Sequence, residues 1–459
     1  MKFLKYILTT ALTLSLFVFM VSCDFDALLG MYGSDSADAS SKATEQSSSD
    51  ESEETSESKT ERHLHSYSDW EVVKEATKTE DGEKMRSCEC GDTQTKVIYS
   101  GSVGLAYKVD GKECYITGIG ECTDLDIVIP RMIDKYKVVG ISQGAFEQNQ
   151  AIKSVYIPGS VKSIGDHSFY GSSIESIYIA KGVEEIDMYA FGYCKNLVDI
   201  TIEEGLKVID YSSFDGCSAL ESIVIPNSVI YIYGNAFFDC DGLRSVVMGD
   251  NVKEIGEQAF WNCKNLEEIR LSENLEYIGL QTFGICTSLK SIYIPASVVD
   301  IGERAFVGCS SLEKIEISPD NISYMDIDGN MYSKDGSVFI QYALANKNTV
   351  LTIPEGVKKI LDQACWDAQG LTRVEIPHSV HEIYTLAFAD CNNLTSIYIE
   401  KGVEFIGAYA FPTNSIITIE YSGTMLDWKN VFKEEEWTYM EAGMLISCSD
   451  GDISYRVDE

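Results

Sequence analysis

Apolar residues recur along most of the chain with a period of about 23 residues, and this period is the main structural signal of the sequence. Each period contains a segment of the form Leu-x-x-Ile-x-Ile, then Val-x-x-Ile, then a small residue followed by phenylalanine. The phenylalanines are Phe146, Phe169, Phe191, Phe214, Phe237, Phe260, Phe283, Phe306, Phe388 and Phe411, and an isoleucine stands five residues before each of them. A fixed period of this kind is typical of a solenoid, in which every repeat packs on its neighbours.

The alternation in Leu-x-x-Ile-x-Ile predicts one β-strand per repeat, with its apolar side chains in the core and the side chains between them on an outer face. Strands of successive repeats should be parallel and about 4.8 Å apart. The segment that carries phenylalanine predicts a short helical turn, on which positions i and i+3 share one face. The predicted fold is therefore a β-rich repeat solenoid with parallel strands and short helical turns, preceded by a small β module.

The period is interrupted between Phe306 and Phe388. Cys365 stands at the phenylalanine position of one repeat, and the distance from Phe306 to Cys365 is two periods plus 13 residues. The Asp-Gly pairs at 328–329 and 335–336 are hairpin signals, so we expect a hairpin insertion near residues 325–342. A calcium loop beginning at Asp326 does not fit the spacing, because Met331 and Ser337 occupy the positions that require glycine and glutamate.

Cysteine follows phenylalanine by three residues in most repeats. These cysteines are Cys194, Cys217, Cys240, Cys263, Cys286, Cys309 and Cys391. The same position holds Asn149, Ser172, Ala368 and Asn414 in other repeats, which indicates a packing role and not a chemical one. We expect a buried ladder of side chains in neighbouring turns. The spacing would permit disulfides as well as free thiols.

The complete repeat, Leu-x-x-Ile-x-Ile-Pro followed by Val-x-x-Ile-Gly-x-x-Ala-Phe-x-x-Cys, resembles the BspA-like leucine-rich repeats of bacterial surface proteins. The resemblance extends over about residues 103–450. It implies an N-terminal lead-in at 103–137, the solenoid proper at 138–420 and a C-terminal closing segment at 421–459. Members of that family are surface-exposed proteins that bind host proteins or other microbes, and the resemblance implies a similar role here.

The N-terminus has the features of an export signal. Lys2 and Lys5 precede an almost wholly apolar run that ends at Cys23, and the sequence Met-Val-Ser-Cys resembles a bacterial lipobox. We expect residues 1–23 to be a lipoprotein signal peptide and Cys23 to carry the lipid. An ordinary cleaved signal or an uncleaved membrane anchor are the alternatives, although the apolar run is short for a spanning helix. Residues 24–62 are predicted to be a disordered, acidic, serine-rich linker.

Residues 63–100 predict a small β module with aromatic residues and alternating strands. His63, His65, Cys88 and Cys90 could in principle form a tetrahedral zinc site. However, the two cysteines are separated by one residue only, so we prefer a β module with a disulfide or free thiols. The segment also resembles a short module of surface proteins from anaerobic bacteria, in which a cysteine stands at the position of Lys78. This departure argues against a metal ligand set, and no metal is expected.

The formal net charge of −36 argues against a nucleic-acid partner, because such a partner requires a basic face. The same charge would repel anionic lipid, so we expect contact with the membrane only through the lipid anchor. The five histidines are scattered, and neither a phosphate-binding loop nor a nucleophile motif is present in the sequence. We therefore expect neither an enzyme nor a cofactor.

Outward-facing strand positions form a column of side chains that favours protein recognition. The candidate binding residues in this column are Tyr156, Tyr178, Val224, Val247, Arg270, Tyr293 and Tyr398. These residue types are also common in strands for their β propensity alone. The expected function is that of an exported, lipid-anchored, adhesin-like protein at the cell surface or outer envelope, which binds a host or microbial protein. The alternative is a structural spacer or assembly component of the cell envelope without a specific ligand.

Overall fold

A computed structural model describes residues 67–74, 82–98, 101–412, 417–437 and 444–455. The predicted signal peptide, its Cys23, the acidic linker, His63 and His65 lie outside the described residues. The described residues belong to one compact unit, Ser66–Glu459.

The N-terminal module is a three-stranded antiparallel sheet, as the sequence predicts. Its strands are β1 (Glu71–Lys74), β2 (Gly82–Ser87) and β3 (Thr93–Ile98), with β2 in the centre. A tight turn at Cys88–Gly91 joins β2 to β3, and the amide of Cys88 donates a hydrogen bond to the carbonyl of Asp92 at 2.8 Å.

The remainder is a β-solenoid of about 14 turns with parallel strands. It begins with an antiparallel hairpin, Ala106–Asp110 and Glu113–Gly118, and with the pair Met132–Ile133 and Tyr136–Ile141. Each regular turn then has three runs: a long strand, a short strand and a turn segment that contains the phenylalanine. The three runs form three sides of the solenoid around one core.

The long strands form the first side. They are Asp126–Val128, Ser154–Ile157, Ser176–Ile179, Asp199–Ile202, Ser222–Ile225, Ser245–Met248, Glu268–Arg270, Ser291–Ile294, Lys314–Ile317, Val350–Thr352, Arg373–Ile376, Ser396–Ile399, Ile417–Tyr421 and Met444–Cys448, with Gly451–Tyr455 antiparallel to the last. Burial alternates along them, as in Ser154–Ile157, where Val155 and Ile157 are buried and their neighbours are half-exposed. This alternation follows from the pleat and confirms the predicted inner and outer faces.

The short strands form the second side. They are Ser163–Ile164, Glu185–Ile186, Val208–Ile209, Tyr231–Ile232, Glu254–Ile255, Tyr277–Ile278, Asp300–Ile301, Lys359–Ile360, Glu382–Ile383, Phe405–Ile406 and Phe432–Lys433. The isoleucine five residues before the phenylalanine is the last residue of its strand in each turn, including Ile141 of the longer strand Tyr136–Ile141, and it pairs with its equivalent one turn away, as Ile232 pairs with Ile255.

The turn segments form the third side, and they are consecutive hydrogen-bonded turns without regular helix. The backbone is left-handed two residues before and two residues after the phenylalanine, for example at Asn235 (φ 57°) and Asp239 (φ 54°). This departure from helical geometry frees alternate amides to bond the next turn, as the Phe237 amide donates to the carbonyl of Ala259 at 2.7 Å. The predicted contact between positions i and i+3 is retained, because the Cys240 amide donates to the Phe237 carbonyl at 3.4 Å.

Stacked phenylalanines form the centre of the core. The ring of Phe237 lies 5.3 Å from Phe214 and 5.0 Å from Phe260 between centroids, with interplanar angles of 3° and 7°, and all three side chains are buried. Offset stacking of this kind is favourable for aromatic rings.

The insertion between Phe306 and Cys365 is a three-stranded antiparallel meander of Tyr324–Ile327, Asn330–Ser333 and Val338–Gln341. Its last strand pairs in parallel with Lys359–Ile360 and so rejoins the short-strand side. Buried Tyr342 takes the phenylalanine position of this turn, since its amide donates to the Ala364 carbonyl at 2.7 Å. The buried residues form two clusters that meet within the insertion, where Met331 belongs to the first cluster and Tyr332 to the second.

A short helix, α1 (Met425–Asn430), interrupts the closing segment. Thr424 and Asp427 form a capping box at its start. Trp428 is a residue of this helix, and its side chain is buried. Within the described parts of the chain, no helix has the length and apolar character needed to cross a membrane.

Candidate functional site

The seven candidate residues all lie on long strands, and their side chains point outward. We call the outer surface of the long strands, which these side chains form, the long-strand face. Their registers agree with the predicted column: Tyr156 pairs with Tyr178, Val224 with Val247 and Val247 with Arg270. However, hydrogen bonding divides the long strands into separate sheets. Tyr156 and Tyr178 lie in one sheet, Val224, Val247 and Arg270 in a second, Tyr293 in a third and Tyr398 in a fourth.

The middle of the long-strand face carries exposed apolar side chains. Val224 is 64 % exposed, Val247 39 % and Tyr293 47 %. Arg270 stands between the last two, and its guanidinium forms an ion pair with the Asp250 carboxylate at 2.8 Å. This stretch therefore presents apolar surface around one cation that already has an acidic neighbour.

The N-terminal end of the long-strand face is partly covered by the small module. Lys84 on β2 places its Nζ 4.4 Å from the ring centroid of Tyr178 and donates a hydrogen bond to the Tyr178 hydroxyl at 2.6 Å. That hydroxyl donates in turn to the Glu203 carboxylate at 2.5 Å. Tyr156 stacks on Tyr178 with 5.1 Å between centroids. Both tyrosines are half-buried, so they offer less surface than the sequence pattern suggests.

Cations and aromatic rings alternate through this contact. The Arg86 Cζ lies 4.6 Å from the ring centroid of Tyr67 and 4.7 Å from that of Trp70. The Lys84 Nζ, which contacts Tyr178, also lies 5.2 Å from the ring centroid of Trp70. Cation–π contacts gain strength when they are shielded from water. Burial, and then the hydrogen bond to Glu203, raise the pKa of Tyr178, so its hydroxyl remains a donor at neutral pH.

The C-terminal end of the long-strand face is polar. Tyr398 is half-buried and pairs in register with Glu375 on one side and Glu420 on the other. Arg373 spans these acids, with its guanidinium 3.2 Å from each carboxylate. The charges of this network are paired with one another. The surroundings of Tyr398 are therefore charged, whereas the middle of the face presents exposed apolar side chains.

Two groups of potential metal donors occur in the described residues. Cys88 is buried and Cys90 is exposed, and a hydrogen bond between their side chains raises the pKa of Cys90. The second group is Glu355, His378 and Glu400 on consecutive turns, whose donor atoms lie within 4.8 Å of one another. The His378 Nδ1 lies 3.3 Å from Glu355 and 3.6 Å from Glu400, which is the geometry of an exposed ion-pair cluster.

The cysteine ladder of the turn segments consists of buried thiols without disulfides. Each thiol from Cys194 to Cys309 donates a hydrogen bond to the carbonyl of the phenylalanine one turn earlier, as Cys240 Sγ does to Phe214 at 3.2 Å, and Cys391 Sγ donates to the carbonyl of Cys365, which stands at the phenylalanine position, at 3.1 Å. Burial raises the pKa of these thiols, to about 12 for Cys194 and Cys309. Thiols held in this state are poor nucleophiles and poor metal ligands.

The repeats match a known family. The family model described as the BspA type leucine rich repeat region, in six copies, matches residues 126–243, 207–335 and 339–435. The chain belongs to the BspA type leucine-rich-repeat family. This assignment agrees with the resemblance seen in the sequence and with the solenoid of parallel strands.

Solved structures show the same fold as this BspA type chain. A leucine rich cell surface protein from Faecalibacterium prausnitzii is 24 % identical, with a TM-score of 0.52, over 73 % of this chain and 98 % of the other. A leucine-rich repeat protein from Bacteroides ovatus is also 24 % identical, with a TM-score of 0.50, over 72 % and 97 %. A search of curated proteins found no match.

Sequence reasoning missed the partners of the two N-terminal tyrosines. Lys84 is separated from Tyr178 by 94 positions and lies in a different element, so no local spacing could reveal the contact. Glu355 and His378 occupy equivalent positions 23 residues apart, but Glu400 is in register with Pro377, so the repeat spacing alone does not bring the three residues together.

Proposed function

We propose that this BspA type chain is a binding protein of the bacterial cell surface, which presents its long-strand face to a protein on a host cell or another microbe. One observation carries the proposal: exposed Val224, Val247 and Tyr293 are aligned on successive turns around Arg270. Aligned apolar side chains at an otherwise charged surface are characteristic of protein interaction sites. The family membership supports the same role, and the relative from F. prausnitzii is described as a cell surface protein.

The geometry favours a protein partner over a small molecule. Successive turns are separated by about 4.8 Å, so the middle of the face extends over several turns without a wall that could enclose a ligand. A protein interface needs about 800 Å² per partner, and a row of turns with its flanking columns offers an area of that order. We propose a partner that contributes apolar side chains at the centre and polar groups around Arg270.

We also propose that the chain is exported and anchored by lipid at Cys23, with the acidic segment 24–62 as a tether. The charged N-terminus, the short apolar run and its end at cysteine support this proposal. An anchor of this kind would leave the solenoid outside the cell, where a surface partner is accessible.

The test is to replace Val224, Val247 and Tyr293 by serine together and to measure binding to proteins recovered from host-cell or microbial surfaces with the wild-type chain. The triple variant should bind at least about tenfold more weakly, because interface centres carry most of the affinity. Val299→Ser is the matched control, since Val299 is 49 % exposed just before a short strand on another side.

Circular dichroism and the thermal transition must show that both variants are folded. If the triple variant and Val299→Ser bind as tightly as wild type, the long-strand face is not the binding surface. If the wild type recovers no partner at all, the structural spacer becomes the better account of the chain.

A further inference from the structure

Four aromatic side chains cluster on the turn side of the solenoid, away from the long-strand face. His167 and Tyr170 flank Phe169, and Tyr189 and Tyr193 flank the phenylalanine of the next turn. Ring centroids are 5.0 Å apart for His167–Tyr170 and His167–Tyr189, 5.5 Å for Tyr170–Tyr193 and 6.0 Å for Tyr170–Tyr189. These four residues are called the aromatic cluster below.

The aromatic cluster stands at backbone positions that do not favour large side chains. His167, Tyr189 and Tyr193 have φ of 54°, 54° and 56°, in the left-handed region where glycine and asparagine are least strained. Glycine or asparagine stands at the equivalent positions of some neighbouring turns, as at Gly171, Gly216 and Asn235. Large side chains stand at the same left-handed positions in other turns too, as at Ile285, Arg304 and Leu386, so the left-handed backbone belongs to the repeat and is not particular to the aromatic cluster.

Aspartates surround the aromatic cluster. Asp166 contacts the imidazole of His167, while Asp187 and Asp210 have no ion pair among the described residues. Burial, and then the charges of Glu185, Asp210 and Asp166, raise the pKa of Asp187. This shift shows that the acids lie close enough to repel one another.

Asp215 supplies an independent indication of a missing partner. Its side chain is 7 % exposed, and its Oδ1 has no hydrogen-bond partner in the described protein. Burial, and then the charge of Asp239, raise its pKa to about 7. The Tyr193 amide donates a hydrogen bond to the Asp215 carbonyl at 2.6 Å, so Asp215 adjoins the aromatic cluster. Burial, and then the charge of Asp215, raise the pKa of Tyr170 and of Tyr193.

Ring faces and unpaired carboxylates both attract cations. The face of a tyrosine ring is negative and binds ammonium or guanidinium groups, and an unpaired buried carboxylate is stabilised by the same groups. The net charge of −36 repels anions from the whole molecule. A ligand that satisfies rings and carboxylates together must therefore carry positive charge.

We propose that the aromatic cluster and Asp215 form a second binding site, which takes lysine or arginine side chains of a basic partner protein. The site lies on the turn side, so it extends beyond the function proposed for the long-strand face. Charge complementarity selects the partner, and the rings distinguish this site from the diffuse acidity of the surface.

The test uses the full chain and a peptide of arginines spaced by glycine and serine, with the same peptide carrying neutral citrulline as a control. Fluorescence anisotropy at about 0.15 M salt limits long-range attraction. The arginine peptide should bind and the citrulline peptide should not. Tyr170→Leu with Tyr193→Leu should weaken binding about fivefold, since that is the usual strength of a partly exposed cation–π contact.

Matched variants separate the rings from the acids. Tyr170→Phe with Tyr193→Phe keeps the ring faces and should retain affinity, whereas Asp215→Asn should weaken binding at pH 8. Asp320→Asn removes the same charge at an exposed position elsewhere and should leave affinity unchanged. Tyr293→Leu, on the long-strand face, should also have no effect, which distinguishes this site from the proposed function.

Equal affinity for the citrulline peptide would overturn the proposal in favour of a neutral ligand. The proposal would also be overturned if the Tyr170/Tyr193 leucine variant and Tyr293→Leu lost the same affinity for the arginine peptide, or if neither lost any. The peptide would then bind through diffuse electrostatic attraction and not at this site. If the leucine variant does not fold, nitration of Tyr193 in the wild type decides the question. The arginine peptide should slow that nitration, and no protection would reject the site.

Discussion

At the scale of single residues, the turn segments combine a buried donor with a main-chain acceptor. Cys240 Sγ donates to the Phe214 carbonyl at 3.2 Å, and the same bond recurs from Cys194 to Cys309 and at Cys391. The Phe214 carbonyl also accepts the Cys217 amide at 3.2 Å, so the thiol is the second donor to this buried carbonyl and contributes a hydrogen bond as well as volume. Other side chains at this position also make hydrogen bonds. Ser172 Oγ lies 3.5 Å from Cys194 Sγ, and Asn149 Oδ1 accepts the Ala151 amide at 2.9 Å.

Asp215 allows a prediction of how stability depends on pH. Its pKa is about 7 in the folded chain against 3.8 as the ordinary value, because of burial and the charge of Asp239. The folded state therefore holds the proton more tightly than the unfolded state. The resulting stabilisation is complete below about pH 4 and is lost as the pH rises through about 7.

Asparagine cannot ionise, so Asp215→Asn removes the loss of stability at high pH. The free energy of unfolding of the variant should exceed that of wild type by about 1–3 kcal/mol at pH 8 and should be close to it at pH 4. Urea unfolding at the two pH values measures the difference. A variant that is less stable than wild type at pH 8 would show that the ionised carboxylate is stabilised by a partner.

At the scale of elements, each run of a turn is too short to be stable alone. Short strands of two residues and turn segments without helix acquire their hydrogen bonds from the next turn, as Phe214 does from Ala236 at 2.9 Å. The stacked phenylalanines contribute the apolar contacts between the same neighbours. Stability is then a sum of interactions between adjacent turns, as expected of a solenoid.

Phe237→Ala should lower the free energy of unfolding by about 3–5 kcal/mol, because it removes a fully buried ring and leaves a cavity between two stacked neighbours. Phe432→Ala is the matched control, since Phe432 is 63 % exposed, and it should cost less than about 1 kcal/mol. Chemical denaturation measures both. Similar losses for the two variants would contradict the central role of the phenylalanine stack.

At the scale of the whole molecule, charge and attachment determine which partners can approach. Lysine and glutamate pairs bridge adjacent turns, as at Lys162–Glu184 and Lys253–Glu276, with distances of 2.6 and 2.8 Å. These pairs are exposed and contribute little stability each. The net charge of −36 disfavours nucleic acid and anionic lipid surfaces as partners, and we propose that contact with a membrane depends on a lipid at Cys23.

Cys23→Ser should release the chain from the membrane fraction into the medium, because it removes the proposed site of acylation and the acidic chain is not attracted to anionic lipid. Fractionation followed by immunoblotting measures the distribution, and mass spectrometry of the N-terminus detects the acyl chains. Wild-type chain that is soluble and carries no fatty acid would reject the lipid anchor.

The sequence by itself determined the repeat, the core residues and the family. Phe237 and Ile232 recur at fixed spacing because each turn must place the same side chain against the same neighbour, so periodicity reports burial directly. The alternation in Ser154–Ile157 likewise specified which residues face outward. The departure of the turn segments from helix was not visible, because short apolar spacing of three residues is shared by helices and by consecutive turns.

Tertiary structure alone decided which outward residues are accessible and which of them contact one another. Lys84 covers Tyr178 across 94 positions of sequence, and the long strands divide into separate sheets at points that the repeat pattern does not mark. The contact of His167 with Tyr189 likewise depends on the left-handed backbone at both residues and on the stacking of two turns. Periodicity encodes contacts that repeat in every turn, whereas these contacts occur once and depend on the position of one element against another.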